Sequence, residues 1–447
     1  MSTTKSKEQD MLAVAQSCVT IAKAGGAKDA AARAYRVRDV SLDWRDGKPE
    51  KISESTTRGV SLQLYVDGRY SSVSTSDLRP EALKTFINDS IAISKAIAAD
   101  PFRALPDPAL YKGQSAADLK LEDPAYGTVT PDQGKKLAKT VADAARAVKG
   151  AEAILSVTSS FSTNLVENWM VTSNGFSGAN RGTQFFVAAQ VSVKDADGRR
   201  PEDYAYAGSR FIGELPDPAS IGKAAAMRAL SRLGSKKGES AATVVAIDNR
   251  AVGRLLGYLS QPMSAAALQQ KRSFYDGKIG EQITSPLLSI TDDPLIPKGF
   301  ASRKYDAEGI AAKQRPIIEN GVLKSFFVDT YYGRKLKMAP TSGSPSNFSW
   351  KLGAKSQKEL LADMKDGILV TDFIGGNSNS GTGDFSVGVL GFRVRGGEIA
   401  EPIGEMNISG NHLEFWKKLV AVGNDPFPYS AMRTPTLVFD AVSVAGT

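Results

Sequence analysis

The sequence predicts an α+β protein: an N-terminal antiparallel sheet with flanking helices, then a C-terminal β-rich domain, barrel-like or sandwich. Three observations predict it. Residues 31–75 alternate apolar and polar at the strand period, punctuated by the hairpin turns Arg45-Asp46-Gly47 and Asp67-Gly68. Stretches with helical apolar spacing frame them, over 8–24 and 77–99. Beyond residue 236, short apolar runs are separated by Gly-rich turns, with few helical stretches.

The first helix carries its stripe on Met11, Leu12, Val14, Ala15, Val19 and Ile21 and stops at Gly25-Gly26. Strand faces follow in Tyr35/Val37, Val40/Leu42/Trp44 and Val60/Leu62/Leu64/Val66. Leu83, Phe86, Ile87, Ile91 and Ile97 mark the next helix. Residues 100–130, rich in Pro, Asp and Gly, read as an extended connection, and Thr130 as the N-cap of a helix over 131–149. Strands are expected over 153–172 and 182–194, then a helix over 219–233. Gly234–Gly238 divides the chain into 1–235 and 236–447, and no fixed-period repeat is visible. The second part predicts strands over 244–247, 367–373 and 437–444, hairpins at Asn320-Gly321 and Gly396-Gly397, and helices over 250–259 and 413–420.

The chain has 447 residues, 42% of them hydrophobic and 23% charged, a balance that points to a soluble globular protein. No apolar run approaches the ~20 residues of a membrane span, and the N-terminus does not read as a secretory signal. With one cysteine, Cys18, no intrachain disulfide is possible, and the expected compartment is the cytoplasm. The net charge of +8 is dispersed, with no run of about five like charges and no interleaved aromatics, so nucleic acid is not the expected partner.

His412 is the only histidine. This excludes the His-rich zinc sites, and it leaves a Ser-His pairing with Ser409 as the one nucleophile arrangement to consider. Next to a helix start, His412 reads as a cap or surface residue. Asp292-Asp293 before Pro294 reads as turn chemistry. The Gly-rich stretch 375–386 permits close backbone approach but lacks the Lys-Ser/Thr ending of a phosphate loop. It reads as a tight loop or as a contact for an extended peptide or partner. A helix before Ser260–Ala266 is cut short by Pro262, and this segment has no acid, histidine or cysteine.

Several motifs occur together and in order: Lys271-Arg272-Ser273-Phe274, Gly299-Phe300-Ala301-Ser302, Asp306-Ala307-Glu308-Gly309, Ile318–Leu323, Gly381–Gly388, Gly396–Ile399, Ile408–Asn411 and Val422–Asp425. Through them the chain resembles the TldD/PmbA family, PmbA (TldE) branch. The resemblance implies one subunit of a two-subunit zinc metalloprotease. The zinc-bearing subunit of that family carries a His-Glu-x-x-x-His helix, and the matching region here is Ser260–Ala266. No catalytic or metal residue is therefore expected in this chain, and zinc is expected in its partner. The implied partners are a TldD-like zinc subunit and an unfolded or ribosomally made peptide. Contact residues are expected at Gly381, Thr382, Gly383, Asp384 and Phe385, with Asn411 and His412 beside them. The alternatives are a homodimeric peptide-binding protein without protease activity, a nucleic-acid or DNA gyrase modulator, and an unusual hydrolase using Ser409 and His412 or a carboxylate-bound metal.

Overall fold

The computed structural model describes residues 2–447, with side chains from residue 11 onward. Its first half contains α1 (Ser2–Ala24), β1 (Asp29–Arg45), β2 (Lys48–Val66), β3 (Arg69–Thr75) and α2 (Pro80–Ser94). An irregular connection leads to α3 (Pro131–Arg146), β4 (Ile154–Thr172), β5 (Ser177–Val193), β6 (Glu202–Ser209) and α4 (Pro218–Leu230). Both groups follow one plan: helix, two long strands, a short strand, helix. They merge into a single six-stranded antiparallel sheet of order β3-β2-β1-β4-β5-β6. The halves meet where β1 pairs with β4, with Val37 opposite Val166 near the middle of each strand. The sheet is thus a duplication about a pseudo-two-fold, present in topology although no sequence period announces it.

Small residues let the helices seat closely. Ala30, Ala32 and Ala34 of β1 pack with Ala15, Cys18 and Ala22 of α1, and Leu62, Leu64 and Trp169 complete that core. The second core joins Phe161, Phe185, Val187 and Val191 to Val141, Ala145 and Ala225 of α3 and α4. Thr130 caps α3 as expected, accepting from Gln133 N while Gln133 Oε1 accepts from Thr130 N. One strand limit and one strand differ from expectation. β5 begins at Ser177, because β4 supplies backbone partners to the polar Ser177–Gln184 stretch. β6 is an additional strand, whose Asp203, Ala205 and Ala207 are too small or polar to give an apolar signal.

The second half runs β7 (Ala241–Ile247), α5 (Val252–Ser260), α6 (Ala265–Gln269), β8 (Ile290–Asp293), β9 (Arg315–Glu319), β10 (Val322–Leu323), α7 (Thr330–Leu336), β11 (Asn347–Trp350) and α8 (Gln357–Met364). It ends with β12 (Gly367–Ser378), β13 (Asp384–Arg395), β14 (Glu398–Asn411), α9 (His412–Phe415), β15 (Leu419–Val422) and β16 (Leu437–Ala445). Strands β14-β13-β12-β7-β16 close into a five-stranded barrel, because β16 also pairs with β14 through Ile408 and Val444. Of the two readings, barrel-like or sandwich, the barrel is correct. Val245, Ile247, Val370, Val387, Val389, Met406 and Phe439 belong to its core. The expected helix over 413–420 ends early, since Leu419 pairs with Phe439 as strand.

Asp292 corrects the turn reading. It is fully buried in β8, pairs with Arg315 at 3.1 Å and accepts from Ser346 N and Oγ. Only Asp293 makes turn chemistry, accepting from Leu295 N at 2.9 Å. Among the described residues no helix is long and apolar enough to cross a membrane.

Candidate functional site

Three segments converge on His412. The first is α5 with the single turn Gln261–Met263 that follows it, where Pro262 ends the α-helix. Arg254 of α5 reaches across to β12, donating to Phe373 O at 3.0 Å and to Gly375 O. The second segment is 271–275. Ser273 Oγ donates to Pro262 O at 2.6 Å, and Phe274 N donates to Ser380 O at 2.9 Å. The third is the turn from β12 into β13, which contains the Gly-rich motif.

That turn is held by its own side chains. Asn379 Oδ1 accepts from Gly381 N at 2.9 Å and Thr382 N at 3.3 Å. Thr382 Oγ1 donates to Asp384 Oδ2 at 2.7 Å. Asn411, the N-cap of α9, accepts from Leu413 N and donates to both Thr382 O and Asp384 Oδ1. The bonds from Asn411 and Thr382 hold the Asp384 carboxyl below its ordinary range. Gly383 has φ of +86°, and a Cβ there would stand 3.1 Å from Asn411 Oδ1, so glycine suits the position on two counts.

His412 lies beneath this loop, fully buried. Its ring stacks on Phe385 at 4.5 Å and on Phe274 at 5.7 Å, with Tyr258 of α5 6.0 Å away. Its backbone N donates to Gly383 O at 2.8 Å. The Nε2 bonds Ser378 Oγ at 3.0 Å, and Nδ1 has no partner among the described residues. Burial lowers its pKa from 6.5 to about 4, so the ring is neutral at pH 7. This corrects two expectations. His412 is a core residue rather than a cap or surface residue, since Asn411 does the capping. Ser409 is not its partner, because Ser409 is exposed and sits opposite the half-buried Ser386 on the β13–β14 ladder. A base this weak, with no carboxylate on Nδ1, lacks the orienting third member of a nucleophile triad.

All seven expected contact residues lie at this one place. Gly381, Thr382 and Asp384 are exposed, Asn411 is half-buried, and Gly383, Phe385 and His412 are buried. The loop presents its first part to solvent and anchors its last part in the core. Beside it lies an open recess of about 470 Å³, lined by Gly376, Asn377, Ser386, Glu405 and Asn407 among others. Sequence reasoning covered Ser378 and Asn379 only within the 375–386 stretch, without individual roles, and gave Arg254 and Tyr258 none. Asn379 was the most findable, as an Asx residue two positions before a glycine.

The zinc of the resembled family does not fit this chain's residues. Ser260–Ala266 offers Ser, Gln, Pro, Met, Ser and Ala, none of them a usual zinc ligand. Among the described residues, no three His, Cys, Asp or Glu side chains group to hold a metal.

Known proteins resemble the chain along nearly its whole length. Family models described as PmbA/TldA metallopeptidase domain 1, central domain and C-terminal domain match residues 30–94, 125–233 and 240–446. The metalloprotease PmbA of Escherichia coli O157:H7 is 29% identical over 428 residues, covering 95% of this chain and 94% of that protein. A crystal structure of a putative modulator of DNA gyrase from Bacteroides thetaiotaomicron superposes with a TM-score of 0.94 at 37% identity, covering 97% of this chain and 98% of that one. TldE from Thermococcus kodakarensis, 19% identical with a TM-score of 0.86 over 97% of this chain and all of its own, shares the fold.

Proposed function

Because the chain belongs to the PmbA/TldD metallopeptidase family, we propose that it is the non-catalytic subunit of a zinc metalloprotease pair. It pairs with a TldD-like zinc-bearing subunit in the cytoplasm, and the two close a chamber that processes unfolded or ribosomally made peptides. One observation carries this reading: the segment matching the family's zinc helix contains no zinc ligand, while the loop beside it is fully built. The exposed Gly381, Thr382 and Asp384 are the contact residues for partner or peptide, held in place by Asn379, Asn411 and the buried His412–Phe385 stack.

The test uses purified protein. Alone, the chain cleaves no unfolded peptide and retains no stoichiometric zinc after dialysis, and addition of a TldD-like subunit produces cleavage. Cleavage by the chain alone would overturn the proposal. Light scattering of the chain with and without that subunit separates the pair from a homodimeric binding protein.

A second reading takes its support from the name of the Bacteroides neighbour and from the +8 charge. A DNA-associated gyrase modulator binds duplex DNA with an affinity that falls steeply as salt rises. Binding indifferent to salt, or absent at low salt, removes this alternative.

A further inference from the structure

β2 has an open edge. β3 pairs only with residues 60–66 of β2, so among the described residues 48–58 have a strand neighbour only on the β1 side. All of them are exposed except the half-buried Ser53. The two-residue Asp67-Gly68 turn closes on the pair Val66/Arg69, which is the hydrogen-bonded kind. Alternation down the strand then turns the backbone N–H and C=O of Ile52, Glu54, Thr56 and Arg58 outward.

The pseudo-two-fold supplies an internal comparison. β5 stands to β4 as β2 stands to β1, and β6 covers β5 only over residues 185–192. Part of the edge left over is met by the chain's own irregular segment 118–124. Thr183 N donates to Leu121 O at 2.9 Å, Asp123 N donates to Thr183 Oγ1 at 2.8 Å, and Glu122 pairs with Arg181 at 2.9 Å. Aligned on their first residues, Lys48 and Ser177, the seventh residue of each strand is Glu54 and Thr183 respectively. Among the described residues no segment meets Glu54 and its neighbours in this way.

Two further observations say what fits there. Ile52 is 53% exposed and, with Val40, Leu42, Phe161, Val129 and Tyr126 among others, lines a recess of about 70 Å³ on the sheet face, inward of the edge. Glu50 and Glu54 are already paired with Arg45 and Arg38, whereas Lys48, Lys51 and Arg58 have no ion pair among the described residues. The charge left unneutralised along the edge is therefore positive.

We propose that the outer edge of β2, over residues 52–58, docks an extended acidic polypeptide segment, which pairs with the outward backbone groups of β2 and seats an apolar side chain against Ile52. Backbone pairing supplies the affinity, and Lys48, Lys51 and Arg58 select for acidic side chains. This inference does not rest on the proposed zinc partner, and its test uses this chain alone.

The probe is a fluorescein-labelled synthetic peptide with the sequence of residues 117–124, Ala-Asp-Leu-Lys-Leu-Glu-Asp-Pro. Fluorescence anisotropy should show saturable binding to the full chain. Thr56→Pro removes an outward N–H without touching the β1 ladder and should weaken binding at least tenfold. The double variant Lys51→Glu/Arg58→Glu, confined to exposed side chains, should do the same, and so should the peptide with its acids replaced by amides. Urea midpoints of the variants confirm folding. Absence of binding to the wild-type chain, equal binding by Thr56→Pro, or equal binding of the amide peptide overturns the proposal. A wild-type dimer that Thr56→Pro splits also overturns it and assigns the edge to a second copy.

Discussion

His412 and Glu308 titrate in overlapping windows with opposite consequences. Burial lowers His412 to about 4, so unfolding takes up a proton between that value and its ordinary 6.5. The stability it contributes is complete above pH 6.5 and is lost as the pH falls through about 4. Glu308 accepts from Thr330 N at 2.8 Å and Thr330 Oγ1 at 3.0 Å, and burial, opposed by those bonds and aided by Asp306, raises its pKa from 4.5 to about 7. Its contribution is complete below pH 4.5 and is lost as the pH rises through about 7. Each slope is at most about 1.4 kcal/mol per pH unit, and between pH 4.5 and 6.5 they oppose. Relative to wild type, His412→Phe should lose stability as the pH rises across this range, and Glu308→Gln as it falls. Urea midpoints at pH 4.5, 5.5 and 6.5 check this; two variants with parallel profiles contradict it. The sequence showed that His412 was alone, but not that it was buried. Its aromatic neighbours Phe274 and Tyr258 are more than a hundred residues away and only the fold brings them to it.

At the scale of elements, local chemistry was largely legible. Thr130, Pro262, Asp67-Gly68 and Asn320-Gly321 each act on the residues beside them, and each does what its residue type implies. Strands without an apolar pattern were not legible: β6 and the first part of β5 exist because a neighbouring strand pairs with them. The β12–β13 turn depends on Asn411 from the end of β14. Asn411→Ala removes the α9 cap and two bonds to the loop, so the protein should lose about 1–2 kcal/mol. Amide exchange at Gly381–Asp384 should accelerate with it, and unchanged protection there contradicts the bracing role. The α3–α4 contact depends on Gly222, where a Cβ would stand 2.0 Å from Val141 O. Gly222→Ala should force these helices apart and cost about 1–3 kcal/mol in urea unfolding, with the sheet retained by far-ultraviolet dichroism.

For the whole molecule, Arg210 fastens the duplicated sheet to the second half. It is 7% exposed and donates to Thr183 O at 3.3 Å, Gly299 O at 3.1 Å and Phe300 O at 2.7 Å, while burial lowers its pKa to about 10. Phe186 stacks on Phe300 nearby, and Arg33 donates to Ala307 O at 2.7 Å. Arg210→Met keeps the apolar stem but leaves three carbonyls without their donor. It should cost about 1–3 kcal/mol, and tryptophan fluorescence and far-ultraviolet dichroism should then unfold at different urea concentrations. Coincident transitions at the wild-type midpoint contradict the fastening role.

By itself, the sequence determined what depends on residue type and near neighbours: the α+β class, most helices and turns, the family resemblance, and the lack of zinc ligands at Ser260–Ala266. Only the tertiary structure decided the pseudo-two-fold of the sheet, the closure of the barrel through β14 and β16, the Ser378–His412 pair and the bare edge of β2. Those features are set by which distant segments pair through their backbones, which also brings the Ser378 and His412 side chains together, and such pairing places few demands on which side chains the strands carry.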